Sequence, residues 1–253
     1  MTKTHILGAI AGVAAMTLIS ACGASAQAGF SDAEKDALGP LVREYLLNNP
    51  EVVEEALIAL QEKRQQEARN TLTASITENA DRLYNDPRDP SVGPTDAAVT
   101  IVEFYDYNCG FCKSTKDWLR DTLDTYGDDV RVVFKELPLL DGQAPGSREA
   151  ARAALAAQEQ GKFLEFHFAL METRGGYTAE VIDRVAGNVG IDVEQMRERM
   201  RNPAVERQIM DVFDLARALD VSGTPFFLVN GEPVPGADID TIDALVQIGL
   251  SDR

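Results

Sequence analysis

The chain has 253 residues, 45% of them hydrophobic and 26% charged, the balance of a globular protein with room for one or two domains. Its 41 acidic residues outnumber 24 basic ones, for a net charge of −17. That excess argues against nucleic acid or an anionic membrane surface as partner, and an acidic coat is read most simply as a solubility feature.

Lys3 and His5 precede the apolar run ILGAIAGVAAMTLIS, which is too short for a comfortable membrane span. Residues 1–26 therefore read as a secretory signal peptide. Two processing sites stay open. Ala24-Ser25-Ala26 fits the small-x-small rule and leaves Gln27 first, whereas Ile19-Ser20-Ala21-Cys22 has the form of a bacterial lipobox and leaves a lipidated Cys22. Either way the protein is exported, to a compartment where disulfides persist. Since Cys22 is removed or lipidated, the folded protein keeps Cys109 and Cys112.

Residues 27–85 read as helical. Ser31 and Glu34 form a capping box, and Leu38, Leu41, Val42, Tyr45 and Leu46 follow at helical spacing, with Gly39-Pro40 expected to interrupt or bend the helix. Asn49-Pro50 starts a second helix, striped by Val52, Val53, Ala56, Leu57 and Leu60. The run QEKRQQEARNT is polar nearly all round, and Leu72, Ile76 and Leu83 resume a thin stripe. So little apolar surface cannot make a core alone, and self-association of these helices is the expectation over docking on their own domain.

Residues 86–95, DPRDPSVGPT, read as a linker. In the domain that follows, 96–253, VTIVEFYDY and VRVVFKELPLL are predicted strands flanking a helix at 109–126, a parallel βαβ unit. A helical insert covers about 147–219. PFFLVNGEPVPG then reads as a hairpin turning at Asn230-Gly231, and a helix over 238–249 closes the chain. The fold class is α/β, with a helical insertion and an N-terminal helical extension.

The chemistry lies in VEFYDYNCGFCK. C-x-x-C at a strand-to-helix junction puts Cys109 at a helix N-terminus, where unpaired N–H groups and the helix dipole favour thiolate. Cys112, one turn along and less exposed, can resolve a mixed disulfide, and Lys113 and Lys116 add positive charge. A four-residue ring is a poor structural staple. Structural zinc needs four ligands, and His167 is the one other nitrogen candidate after processing. Haem attachment needs a histidine where Lys113 stands. Two soft thiolates can hold copper(I), so a copper-binding or chaperone-like protein is kept as the rival class. His167 itself, among Phe163, Phe166 and Phe168, reads as a satisfied histidine at a helix interface, and Trp118 as core or a wall beside the redox helix.

VEFYDYNCGFCK resembles the active-site segment of the DsbA-like branch of the thioredoxin superfamily. The insert between βαβ and ββα matches that branch, Gly223-Thr224-Pro225 resembles its cis-proline loop, and LVREYLLNNPEVVEEAL is similar to the helical extension of the ScsC (suppressor of copper sensitivity) group. The resemblance implies a thioredoxin fold and a redox site of Cys109 and Cys112, with Gly110 and Phe111 between them. It makes Cys109 the attacking thiol and Cys112 the resolving one. Pro225 is implied to be cis, with the Thr224 backbone pairing with substrate. Glu103 is implied as a partly buried carboxylate that takes the Cys112 proton, and Lys135 as its ion-pair partner. Gly-Phe in place of Pro-His, and threonine before the proline, point away from a pure oxidase. The expectation is a periplasmic disulfide isomerase or reductase for unfolded or misoxidised exported proteins, with no cofactor beyond its own disulfide. It would be reset by a membrane redox partner and assembled as a homo-oligomer through the N-terminal helices. A monomeric dithiol oxidase is the close alternative.

Overall fold

A computed structural model describes residues 30–251. The expected signal peptide, its two candidate cleavage sites and Cys22 fall outside the described residues. Two compact units divide the chain, one up to Glu62 and one from Lys63.

In the first unit, α1 (Asp32–Asn48) starts at a complete capping box, with Ser31 N donating to Glu34 Oε2 at 2.8 Å and Glu34 N to Ser31 Oγ at 3.4 Å. The helix runs through Pro40 rather than stopping there. It stops at Asn49, whose backbone and side-chain N–H groups both donate to Tyr45 O. α2 (Glu51–Glu78) follows Pro50 and continues unbroken through the polar run. Between Phe30 and Glu62 no residue is buried, and Leu41, Tyr45, Leu47, Leu57 and Ile58 are each more than half exposed.

In the second unit, Leu72 and Ile76 of α2 and Leu83 of α3 (Ala80–Tyr84) pack into an apolar cluster with Val102, Phe104, Val133, Leu215 and Leu228. The expected linker carries a short strand, β1 (Ser91–Val92), which pairs with β3 (Ser91↔Val133), so residues 90–92 are tied to the sheet. Then come β2 (Val99–Tyr105), α4 (Gly110–Tyr126) and β3 (Val130–Glu136), with β2 and β3 parallel in the register Glu103↔Phe134 and Tyr105↔Glu136. Both strands are almost wholly buried, as expected of parallel strands covered on both faces.

The insert is five helices, α5 (Ser147–Gln158), α6 (Phe163–Glu172), α7 (Ala179–Asn188), α8 (Val193–Met200) and α9 (Pro203–Ala218). α5 buries six alanines, whose small side chains let its backbone approach the neighbouring helices α6, α8 and α9. β4 (Phe226–Val229) and β5 (Glu232–Pro235) form the hairpin, and α10 (Ile239–Ser251) ends the described chain. Asn230 and Gly231 have φ of 49° and 90°, the doubly left-handed turn that Asn-Gly suits. Asn230 also pins this turn to β2, accepting from Thr100 N at 2.8 Å. The sheet order is β1-β3-β2-β4-β5.

Period-two alternation sorts the polar residues of the two central strands. Glu103, Tyr105 and Glu136 share one face, and Phe104 and Lys135 share the other.

Candidate active site

Cys109 is the N-cap of α4, in extended conformation (φ −72°, ψ 117°), so the first free N–H groups of the helix lie beside its sulfur. Both cysteines are free thiols. Sγ of Cys109 lies 3.1 Å from the carbonyl oxygen of Thr224, and the Thr224–Pro225 peptide bond is cis. As a thiol, Cys109 donates to that carbonyl, which favours the protonated form. Stronger opposing contacts come from the Cys112 thiol first, then the Thr224 side chain and the N–H groups of Cys112 and Phe111. Together they bring Cys109 down to about 5 against the cost of burial.

Cys112 lies at the opposite extreme. Burial, its bond to Cys109 and the nearby Glu103 and Cys109 charges all push its thiol far up. Its proton must therefore be removed by a neighbour. Glu103 is 1% exposed, its Oε2 is buried and accepts no hydrogen bond, and burial followed by the Cys109 charge raises its carboxyl to about 8. A buried acid with a free oxygen and a midpoint near neutral pH is suited to exchange protons with a buried thiol.

Neither Lys113 nor Lys116 is among the contacts that lower Cys109. Lys113 Nζ donates to Thr173 O at 2.6 Å, and Lys116 pairs with Asp117 at 2.8 Å. The pairing of Lys135 with Glu103 is overturned. Lys135 lies on the other face of the sheet, where its ammonium is bonded to Asp89 and to Arg82 O, and Gln208 Nε2 donates to Asp89 Oδ1 at 3.4 Å. The reason is register: Lys135 faces with Phe104, and Glu103 with Phe134. Gly110 and Gly223 stand in open space, where an added Cβ would meet nothing within 4 Å. Phe111 is 70% exposed beside a buried sulfur. Trp118, on the redox helix α4 itself, packs edge-on against Phe227 with ring centroids 6.2 Å apart.

The structure adds residues that sequence reasoning passed over. Asp106 fixes the turn before the cysteines, accepting from Asn108 N and Ser147 Oγ at 2.7 Å and from Leu140 N at 2.8 Å. Behind Glu103, Tyr105 Oη donates to Glu136 Oε1 at 2.5 Å and Tyr107 Oη to the same oxygen at 3.2 Å. Tyr107 Oη is also 3.2 Å from His167 Nδ1. His167 is the satisfied histidine expected, held neutral because burial lowers it to about 3. Alternation of Glu103, Tyr105 and Tyr107 was a usable signal for a polar row under the cysteines, but the β3 register that brings Glu136 to it is not visible in the sequence. Among the described residues no group of three or more His, Cys, Asp or Glu is placed to hold a metal ion.

Residues 100–247 match the DSBA-like thioredoxin domain, and residues 34–67 match the copper resistance protein ScsC N-terminal domain. A thioredoxin-like oxidoreductase from Silicibacter pomeroyi is 38% identical, with a TM-score of 0.62 over 68% of this chain and 97% of that one. A Proteus mirabilis ScsC variant is 26% identical, with a TM-score of 0.64 over 90% of this chain and 100% of that one. A Na(+)/H(+) antiporter NhaA 3 from Salinispora tropica is 36% identical over 63% of this chain, which spans only 24% of that relative's length. With a thioredoxin-type sheet, an inserted helical block and a C-x-x-C at the head of α4, the chain belongs to the DSBA-like thioredoxin domain family and carries an ScsC-type N-terminal domain.

Proposed function

We propose that the protein is a periplasmic thiol–disulfide oxidoreductase that acts mainly as an isomerase or reductase on misoxidised exported proteins. The observation that carries this is the contrast within one motif: Cys109 lowered to about 5 beside the Thr224 carbonyl, and Cys112 buried with its thiol raised. A thiolate at neutral pH attacks disulfides, and a buried thiol with a proton acceptor beneath it resolves them.

In the reductive direction the Cys109 thiolate attacks one sulfur of a client disulfide. The client S–S bond breaks, a Cys109–client disulfide forms, and the departing client thiolate takes a proton from solvent. Glu103 then takes the Cys112 proton, and the Cys112 sulfur attacks Cys109. The client's second sulfur leaves as thiolate, so two electrons have passed to the client and the protein holds a Cys109–Cys112 disulfide. In isomerisation the client's own second thiol displaces Cys109 first, and no net electrons move. In this reading Thr224, whose carbonyl meets the sulfur, pairs through its backbone with an extended client segment.

Isomerase over oxidase is supported by Gly110-Phe111 between the cysteines, which offers the thiolate no histidine donor. The apolar residues exposed on α1 and the first turns of α2 support assembly into a homo-oligomer through that region. Among the described residues no helix is long and apolar enough to cross a membrane. The two cysteines are the whole redox apparatus in this reading, and a membrane thiol partner resets them.

The test is reactivation of scrambled ribonuclease in a glutathione buffer. Wild type is expected to restore activity and Cys109→Ser to restore none, while Cys112→Ser should accumulate client disulfide-bonded to Cys109. Substituting Leu57 and Ile58 together by lysine should break the assembly and cut isomerase yield while sparing simple dithiol oxidation. If wild type fails on scrambled enzyme but oxidises reduced ribonuclease, the protein is an oxidase.

A further inference from the structure

The exchange mechanism uses Glu103 but leaves a second buried carboxyl on the same sheet face unexplained. Glu136 sits at the end of β3, 2% exposed, opposite Tyr105 in register. Glu103 is two residues before Tyr105 on β2. Strand spacing and rise therefore put the two glutamates diagonally adjacent, with backbones about 8 Å apart. The groups facing Glu136 are Tyr105 and Tyr107 from β2 and the turn after it, and His167 from α6, with Asp106 and Glu103 acting on it through charge.

None of these is a cation. His167 is neutral, Lys135 is turned to the opposite face, and Lys113 of α4 is committed to Thr173 O. Two carboxyls in one low-dielectric layer without a counter-charge resist being ionised together. Hydrogen bonding decides which ionises first. Glu136 Oε1 accepts from two tyrosine hydroxyls, whereas Glu103 Oε2 accepts nothing. Burial raises both groups, but only at Glu136 do side-chain donors oppose it.

We propose that Glu136 is a positioning residue for thiol exchange: held by Tyr105 and Tyr107, it takes the first negative charge of the pair and so makes Glu103, once ionised, the stronger base for the proton of Cys112. Glu136 touches neither sulfur. It acts through Glu103, and together the two carboxyls form a one-charge layer beneath the redox helix.

This inference rests on the exchange reading, and its test separates the two. In the full-length reduced protein, the infrared carbonyl band of a protonated buried carboxyl is followed against pH, with Glu103→Gln identifying the Glu103 component. Glu136→Gln keeps an oxygen for both tyrosines but removes the charge. It is expected to move the Glu103 midpoint down by about one pH unit, the effect of losing a like charge at this range in a protein interior. The pH profile for resolution of a glutathione–Cys109 disulfide by Cys112, read by acid quench and mass spectrometry, should move with it. In a Glu103→Gln background the second substitution should leave that profile unchanged. Tyr105→Phe, which removes one donor and little volume, should shift the midpoint in the same direction by less. A Glu103 midpoint unmoved in both variants overturns the proposal, even where melting temperature falls, because a purely structural Glu136 would change stability alone. If no glutathione adduct forms on Cys109 at any pH, the exchange reading fails, and the infrared midpoint still decides whether the two carboxyls share a charge.

Discussion

The two faces of the β2–β3 pair bury polar groups in opposite ways. On one face Lys135 meets Asp89, Arg82 O and, through Asp89, Gln208, so its charge is matched and its donors are used. On the other face Glu103 and Glu136 lie together with no cation, and one oxygen of Glu103 has no partner at all. A satisfied buried pair holds structure in place, here tying the 86–90 segment and the end of α3 to the sheet. An unsatisfied buried acid is a cost that stability alone does not explain, and the cysteines lie on that side. Burial by itself therefore does not mark function; here the mark is a buried acid that lacks a partner and lies on the side of the cysteines.

The largest effect that tests this contrast is Asp89→Ala. It leaves Lys135, 1% exposed, without its counter-charge, and the expected loss is on the order of 3–5 kcal/mol, read by denaturant titration. The thiolate titration of Cys109, followed at the ultraviolet absorbance of the thiolate, should keep its midpoint near 5. A moved midpoint would mean the two faces are not separate systems.

Glu103→Gln should do the reverse. Resolution by Cys112 is expected to slow by about 10²-fold, the usual worth of a positioned proton acceptor. Stability changes with a definite sign. The folded carboxyl titrates near 8 against 4.5 unfolded, so wild type loses stability as pH rises from about 4.5 to 8, by a few kcal/mol in total. The variant lacks that loss and should gain on wild type across this window. Cys109 acts oppositely in the reduced protein. Its folded value is depressed to about 5, so its contribution is fully present above the unfolded value near 9 and vanishes as pH falls through 5. Cys109→Ser should therefore become less stable than reduced wild type as pH rises over that range. Stability curves of the three proteins against pH separate the two terms.

Much of this architecture was legible in the chain. The capping box at Ser31, the Asn230-Gly231 turn, the parallel βαβ unit and the placement of Cys109 before a helix all follow from local chemistry, and local chemistry is written in neighbouring residues. What failed was what depends on register and distant packing. Lys135 was assigned to Glu103 because the strands are adjacent, but a parallel register one residue different in phase sends its side chain to the far face. Gly39-Pro40 was read as interrupting or bending the first helix, and α1 continues through it without interruption. The 86–95 segment has a linker's composition, but Ser91 and Val92 find an open edge on β3, and Asp89 finds a buried lysine. Glu136 gave no signal, since a glutamate at a strand end is ordinarily solvated, and only Tyr105 opposite it and Tyr107 two residues on make its burial tolerable.

The smallest expected effect sharpens the contrast most. Replacing Lys135 by methionine and Asp89 by leucine together removes both charges of the structural pair without stranding either. Desolvation of two ions is itself unfavourable, so exchanging a buried pair for apolar groups of similar volume is often neutral or stabilising. Here the gain is offset by Arg82 O, which loses the Lys135 donor, while Gln208 keeps its 2.6 Å bond to Arg88 O. The net change should fall within about 1–2 kcal/mol of wild type, far less than Asp89→Ala alone, with scrambled-ribonuclease reactivation and the Cys109 midpoint unaltered. The same logic cannot be applied to the other face. Removing both Glu103 and Glu136 takes the proton acceptor with the charge, so stability should rise while Cys112-dependent turnover falls as far as in Glu103→Gln. A double lysine–aspartate replacement that unfolded the protein or displaced the thiolate midpoint would show that the paired face also serves the redox site, and the division between the two faces would not hold.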